Sequence, residues 1–522
     1  MQFYISNIHI LAQMDGNTSS SRSIGIDALF QSAGSGVQLF SGTVFYLIAV
    51  RLFNTTNVGA LSLFVAIVGL FNIVFSFGLS TAAQHFTSYN LGKGDYASVK
   101  RTIHRILLLS TSLSLAGLVT LEVLAGEISS IFLHSMAYTE MVRLLGIVLF
   151  GSIMFGILNG VMLGVQMFRL SAILSIVIWG IYYFGALIFA VFLRSIETIV
   201  FGWIMGIFLG VIVELFILLF SVRKYLGNGD PPSNALIIRY SAPILLSGII
   251  SYGAMYADRF IVSGLLSLSY LGIYNFSLLI ASAITFMVSP FSNILMPKFS
   301  EYFGRGEKET IASMVSVSST LLSYIYVPSA MGIAALAPMI LNLLAGSDYV
   351  SGAIPLIIIM FFSALFVTQF IIIQAISSIR KTKLFLYSSA LALSGNTVLS
   401  ILLIPHFELV GAALGFSSVG VLSFLVLYYF ARKEGIISVD LGALTKIWLS
   451  AIIMFLSVFS LSNFMGQNMI LLPLFIITGA AIYFVMSRVL RVFRVENKEL
   501  ILSLFPDRYI QFKRLLKLLV LH

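Results

Sequence analysis

Fourteen runs of about twenty apolar residues follow one another along this chain, and they leave little else from which to build a fold. They lie at roughly 29–51, 58–83, 105–126, 141–165, 171–193, 198–221, 240–264, 270–296, 311–337, 353–378, 384–405, 410–430, 446–464 and 469–488. At 1.5 Å per residue, about 20 helical residues cross the ~30 Å hydrocarbon layer of a bilayer. Of the 522 residues, 59% are hydrophobic and only 10% charged, against about 25% charged in soluble domains. The solvent for these runs is therefore lipid. Lipid offers the backbone no hydrogen bonds, so each run must satisfy its own as a helix. The fold class that follows is an all-α polytopic membrane protein with about 14 transmembrane helices.

The charges orient the spans. With the N-terminus inside, 26 of the 30 lysines and arginines fall on inner segments, the exceptions being Arg51, Arg143, Arg194 and Arg259. The positive-inside rule then puts both termini in the cytoplasm of a cell membrane. The net charge of +10 is a topology signal and calls for no nucleic acid. The chain has no cysteine, which removes disulfides, thiol nucleophiles and cysteine-held metals. Its six histidines are scattered, and no phosphate loop or nucleophile elbow is present. The outer loops are very short. Asn54-Thr55-Thr56 is a glycosylation sequon, but it sits close to the membrane and reads better as a turn. The N-terminus lacks the basic flank of a signal peptide, and Met14 is an alternative start.

The chain also repeats itself. "YNLGKGDYASVKRTI" (89–103) follows the second span and "EYFGRGEKETIASMV" (301–315) the eighth. Both read glycine, base, glycine, acid, then a helix restart. "VGALSLF" (58–64) matches "LGIYNFS" (271–277) 213 residues later, and "VQMFRLSAIL" (165–174) faces "SSIRKTKLFLY" (377–387) at nearly the same spacing. Two six-helix lobes of the same orientation follow, related as parallel repeats are. The expected organisation is an N-terminal segment (1–28), a first lobe (29–225), a second lobe (226–435), two extra spans (436–488) and a basic amphipathic tail (489–522). The Gly-, Pro- and Asn-rich stretch 223–240 reads as the interlobe linker.

Polar residues recur at helical spacing inside the spans. In the seventh span Tyr252, Tyr256, Arg259 and Ser263 form one stripe, with Asp258 about 100° away from Arg259. A charge in mid-bilayer costs about 2.5–3.5 kcal/mol on insertion scales, so both must face protein or a cavity. Arg259 could hold a phosphate by forked hydrogen bonds. Asp258 could carry a proton or cation, as could Glu214 in the sixth span. The pair reads equally as a structural lock on its helix. The first span sets Gln31, Ser35, Gln38, Gly42 and Tyr46 on one face. Asn72, Asn159, Asn293 and Asn396 add neutral polar groups elsewhere, and Pro290 marks a bend in the eighth span. Such groups suit sugar hydroxyls, and they also serve close helix packing.

"LLIPHFELVGAALGFSSVGVL" (402–422) and "YADRFIVSGLLSLSYLGIYNFS" (256–277) resemble oligosaccharide flippases of the multidrug/oligosaccharidyl-lipid/polysaccharide exporter superfamily. "RLFNTTNVGALSLF" (51–64) is similar to the first-repeat pattern of that family. The usual glycine of the first motif is replaced near Glu408-Leu409. The resemblance spans about residues 25–435. It implies a transporter that moves a lipid-linked, polyprenyl-phosphate-type oligosaccharide to the outer leaflet by alternating access, with no catalytic residue and no cofactor or metal. Arg259 would meet the anion. The implied partners are the substrate, membrane lipids and glycan-assembly enzymes. The first span lacks the arginines of lipid II flippases, which weighs against peptidoglycan precursors. A cation-coupled multidrug exporter of the same superfamily and a membrane glycan polymerase are the competing readings.

Overall fold

The computed structural model describes residues 18–223, 229–466 and 468–492. Most of the N-terminal segment and nearly all of the basic tail lie outside the described residues. Within them the chain is helical, with no strand. The helices are α1 (Thr18–Leu52), α2 (Thr55–Ser76), α3 (Leu79–Gly92), α4 (Tyr96–Phe132), α5 (Thr139–Gly164), α6 (Phe168–Gly180), α7 (Ala186–Leu193), α8 (Ile196–Val222), α9 (Asn234–Leu265), α10 (Leu268–Ala283), α11 (Ser289–Gly304), α12 (Lys308–Ala335), α13 (Ala337–Ala345), α14 (Ala353–Leu365), α15 (Gln369–Ser378), α16 (Lys383–Lys433), α17 (Leu441–Phe464) and α18 (Leu472–Val489).

All fourteen expected runs are helical, but several are not single rods. Twelve helical stretches among the described residues are long and apolar enough to cross a membrane. The eighth run is missing from that set because it breaks into α10 and α11 around a 3-10 turn at Ile284–Met287. Pro290, in the first turn of α11, has no N–H to lose there. The eleventh and twelfth runs share α16, whose reversal comes at Glu408 with φ 48° and ψ −124°. Pro405 lies inside this helix, three residues before the reversal. The tenth run is divided between α14 and α15, and the second ends at Ser76, with positive φ at Phe77 and Gly78 before α3. The first helix reaches back to Thr18, well before the expected start at 29.

Chain contacts divide the molecule into two units, residues 1–52 with 64–249 and residues 53–63 with 250–522. In the first unit α5 forms the core, packed on α3, α4 and α8, and 67% of its most apolar window is buried. The stretch 229–232 is tied to α4: Arg101 donates to Gly229 O at 2.8 Å, and Arg105 to Pro232 O at 2.8 Å. In the second unit α12 takes the central place, also 67% buried, whereas α4, its mate in the repeat, is 28% buried. The extra helices account for this. α17 packs along α12, α18 packs along α17, and Tyr483 donates its hydroxyl to Tyr324 O at 2.9 Å.

The repeated loops are built alike. Gly94 and Gly306 both take positive φ, 74° and 79°, which is easy only without a Cβ. Asp95 then caps α4, accepting from Ser98 N at 3.0 Å, and the Ser98 hydroxyl and N–H hold its carboxyl below the usual range. Glu307 stands at the same point before α12.

The repeat is also visible where two helix starts touch inside the second unit. A Cβ on Gly59 would lie 1.8 Å from Leu268 O, and one on Gly272 would lie 2.1 Å from Thr55 O. Gly59 and Gly272 are 213 residues apart, as are Thr55 and Leu268. The contact is therefore self-complementary, each glycine receiving the other repeat's carbonyl. Thr55 Oγ1 and Ser269 Oγ add a hydrogen bond at 2.7 Å. Asn54, of the sequon, accepts from Asn57 N at 2.9 Å and so caps α2.

Candidate functional sites in the two units

A cavity of about 510 Å³ opens in the first unit, lined from α1, α2, α3, α5, α6 and α8. α1 presents Gln31, Ser35 and Gln38 to it, α2 presents Asn72, and α5 presents Asn159. Five of the residues named from the sequence, Gln31, Ser35, Gln38, Asn72 and Asn159, thus meet at one cavity. Gln31 is partly committed to the fold, because its Nε2 donates to Phe168 O at 2.7 Å. Gln38 and Asn72 make no hydrogen bond among the described residues, and both side chains are half-buried.

Glu214 is fully buried on α8, outside the cavity wall and behind Asn159. Its Oε1 lies 3.4 Å from Asn159 Nδ2, which also reaches Ser171 Oγ at 3.0 Å. Its Oε2 has no partner among the described residues.

The rest of the lining includes an aromatic group, and polar periodicity did not announce it. Phe155, Trp179, Tyr182, Tyr183 and Trp203 make it up. A π-helical turn at Ile181–Gly185 interrupts the fifth span here, a break that often marks functional sites. Trp179 stacks with Tyr183 at 6.0 Å, and Tyr182 lies parallel to Trp203 at 5.6 Å. Gly206 lets α8 approach this turn: a Cβ there would lie 2.7 Å from Tyr182 Cα. The one available signal was local, "WGIYYFG" at 179–185, with two of the chain's three tryptophans within 25 residues.

In the second unit Asp258 and Arg259 serve different surroundings, as their 100° separation requires. Asp258 is fully buried. Tyr274 donates to its Oδ2 at 2.7 Å, and Asn396 Nδ2 lies 3.3 Å from its Oδ1. Asn396 also donates to Ala254 O at 2.9 Å and accepts from Ser400 at 3.1 Å. Tyr274 OH is 3.1 Å from Ala412 O. These bonds join α9, α10 and α16, and they give Asp258 the partners that its burial demands.

Arg259 is half-buried on the other face. Its Nη1 donates to Met255 O at 2.7 Å and its Nε to Asn275 Oδ1 at 3.3 Å. The guanidinium lies 4.1 Å over the Tyr256 ring, which stacks on Tyr252 at 4.3 Å. The stripe expected from the sequence is thus a continuous stack of two rings and a cation. These bonds commit two of the five guanidinium N–H groups. The side chain of Asn293, on α11, lies outside the described residues.

Outside the spans, Glu434 joins three segments of the second unit. It pairs with Lys381 and, at 3.9 Å, with Lys308. The Lys381 bond holds its carboxyl below the ordinary range. No group of three or more potential metal ligands occurs among the described residues.

With this geometry in hand, four similarities to known proteins can be placed. The profile of a family described as "Polysaccharide biosynthesis protein" matches residues 48–355, more than half of the chain. A Haloferax volcanii protein named "Probable low-salt glycan biosynthesis flippase Agl15" is 22% identical over 385 residues, 73% of this chain and 76% of the relative. Among solved structures, "Lipid II flippase MurJ, inward closed conformation" superposes with a TM-score of 0.69 at 14% identity, over 88% of this chain and 98% of that one. An inward-facing multidrug resistance MATE family transporter of the MOP superfamily follows at 0.64 and 14%, over 76% and 94%.

Proposed function

Since the chain belongs to the polysaccharide biosynthesis protein family, we propose that it is a flippase carrying a lipid-linked oligosaccharide from the cytoplasmic to the outer leaflet. The observation that carries the reading is Arg259. It is a cation placed in an apolar helix, with N–H groups to spare and no carboxylate in direct contact among the described residues. A polyprenyl-phosphate-type anion supplies the missing charge, and a planar guanidinium binds it through paired hydrogen bonds. The Tyr252–Tyr256 stack holds the guanidinium from behind. The relative named as a glycan biosynthesis flippase supports the same class.

No bond is broken in such a step, so the chain needs binding groups and no catalytic ones. The cycle is one of alternating access, with the head group exposed to one side and then the other. Both termini lie on the basic, cytoplasmic side. Glu214 and Asp258 are the candidate groups for coupling the cycle to protons or cations. A multidrug exporter would call for acidic groups in the cavity wall itself; Glu214 is set behind Asn159.

The test is made in cells whose own copy is removed. Arg259→Ala should leave undiminished protein in the membrane but slow glycan export about 10–100-fold, the worth of a charge-assisted bond of ~1.5–3 kcal/mol. Arg259→Lys should recover part of it. Full export by Arg259→Ala would sink the assignment.

A further inference from the structure

We infer that the cavity of the first unit seats an uncharged, hydroxyl-rich sugar ring, stacked on the aromatic wall and hydrogen-bonded to the amides that share the lining. The inference rests on the flippase reading above and names which part of the substrate enters which part of the protein.

Four observations carry it. The first is the absence of any charged side chain in the cavity wall. An anion placed there would be buried without a counterion, at a cost of several kcal/mol. The second is the state of the polar groups. Gln38 and Asn72 keep their amides free of protein partners among the described residues, and each offers both donors and an acceptor. The third is the indole ring of Trp203, which belongs to the cavity wall and, at 1% exposed, is held in place by its stacking on Tyr182. The fourth is the apolar ring surface that Trp179 and Tyr183 contribute to the wall. The volume, about 510 Å³, falls in the ~300–1,000 Å³ range of small-molecule sites.

Together these specify the ligand. It must be neutral, it must bring acceptors for the amide N–H groups and donors for the amide oxygens of Gln38 and Asn72, and it must offer an apolar face to the rings. A sugar ring has all three. A cationic drug would favour the rings and the nearby Glu214, but it would leave the donors of Gln38 and Asn72 unused.

The experiment places a photoreactive benzoylphenylalanine at Ser35, on the cavity wall, and in a second protein at Tyr252, in the second unit. Each full-length protein is illuminated in cells that make their own surface glycan, and captured sugars are identified by mass spectrometry. The expected result is neutral sugar captured from Ser35, reduced about tenfold by Asn72→Ala, one hydrogen bond's worth. Trp179→Ala should reduce it independently. Because that truncation could disturb packing, Asn72→Ala is the decisive variant. Capture from Tyr252 alone, acidic sugar at Ser35, or loss of the Ser35 signal to a competing cationic drug would each overturn the inference while leaving transport intact. Capture from neither position would remove the flippase reading itself.

Discussion

In the first unit Gln38 and Asn72 border a cavity and bond to nothing among the described residues, whereas in the second Asp258, Tyr274, Asn396 and Ser400 bond to one another until little is left over. The two units carry copies of one six-helix pattern, yet these two polar clusters do opposite things. Buried polar groups that are mutually satisfied fix helix positions, and removing one strands its partner. Polar groups without protein partners cost the fold something and are retained where a ligand completes them. The contrast assigns stability to the second cluster and binding to the first cavity, with Arg259 as a cation of the second unit that still has donors to give.

The sharpest way to break this comparison is at the point where the repeats touch. Gly59→Ala has no room, since its Cβ would sit 1.8 Å from a backbone oxygen. It should abolish monodisperse protein in size-exclusion chromatography. Gly332→Ala, whose nearest neighbour would be Met454 Cε at 4.0 Å, should behave as wild type. Next comes the contrast itself. Tyr274→Phe strands a buried carboxylate oxygen and should cost about 1–3 kcal/mol in thermal or denaturant stability. Asn72→Ala should stay within about 0.5 kcal/mol of wild type while export falls. Equal stability losses from both would erase the distinction.

Smaller effects sharpen the picture. Glu408 holds a backbone conformation, φ 48° and ψ −124°, that suits glycine. Such strain costs on the order of 1–3 kcal/mol, so Glu408→Gly should raise the unfolding midpoint by a net ~1 kcal/mol after glycine's own entropy cost; an unchanged or lower midpoint would show that the turn is unstrained. The smallest effect is the clasp at Glu434. Its carboxyl is held below its ordinary value of 4.5 by Lys381. A depressed acid stabilises the fold above its unfolded pKa and loses that contribution as pH falls through the folded value. Wild type should therefore exceed Glu434→Gln slightly in stability at pH 7 and converge with it well below pH 4.5; a gap that persists at low pH would rule the charge out.

The spans were legible because lipid leaves a chain no alternative to about twenty apolar helical residues. Their breaks were less so. Pro290 announced a bend, but the division of the tenth run between α14 and α15 carries no proline or glycine at 366–368. Pro405 does not mark the turn itself, because a proline near a helix end can be accommodated and the reversal comes three residues later. The Tyr252, Tyr256, Arg259 stripe was readable from i+4 and i+3 spacing. So was the α1 face with Gln31 and Gln38. The aromatic wall was not, since Trp179 and Trp203 look like any lipid-facing residue until the π-helical turn and the packing of α8 bring them to one cavity. Which side of α9 would hold Asp258 was also undetermined, because Tyr274 and Asn396 come from elements far away in the chain.

The most direct measurement is translocation by the purified protein alone. Vesicles would be prepared with a short-chain lipid-linked oligosaccharide in one leaflet, and its appearance in the other followed with a membrane-impermeant glycan-modifying reagent. The account predicts protein-dependent translocation, slowed by both Arg259→Ala and Asn72→Ala. Vesicles that move no lipid-linked glycan, yet expel a soluble cationic drug against its gradient, would contradict it.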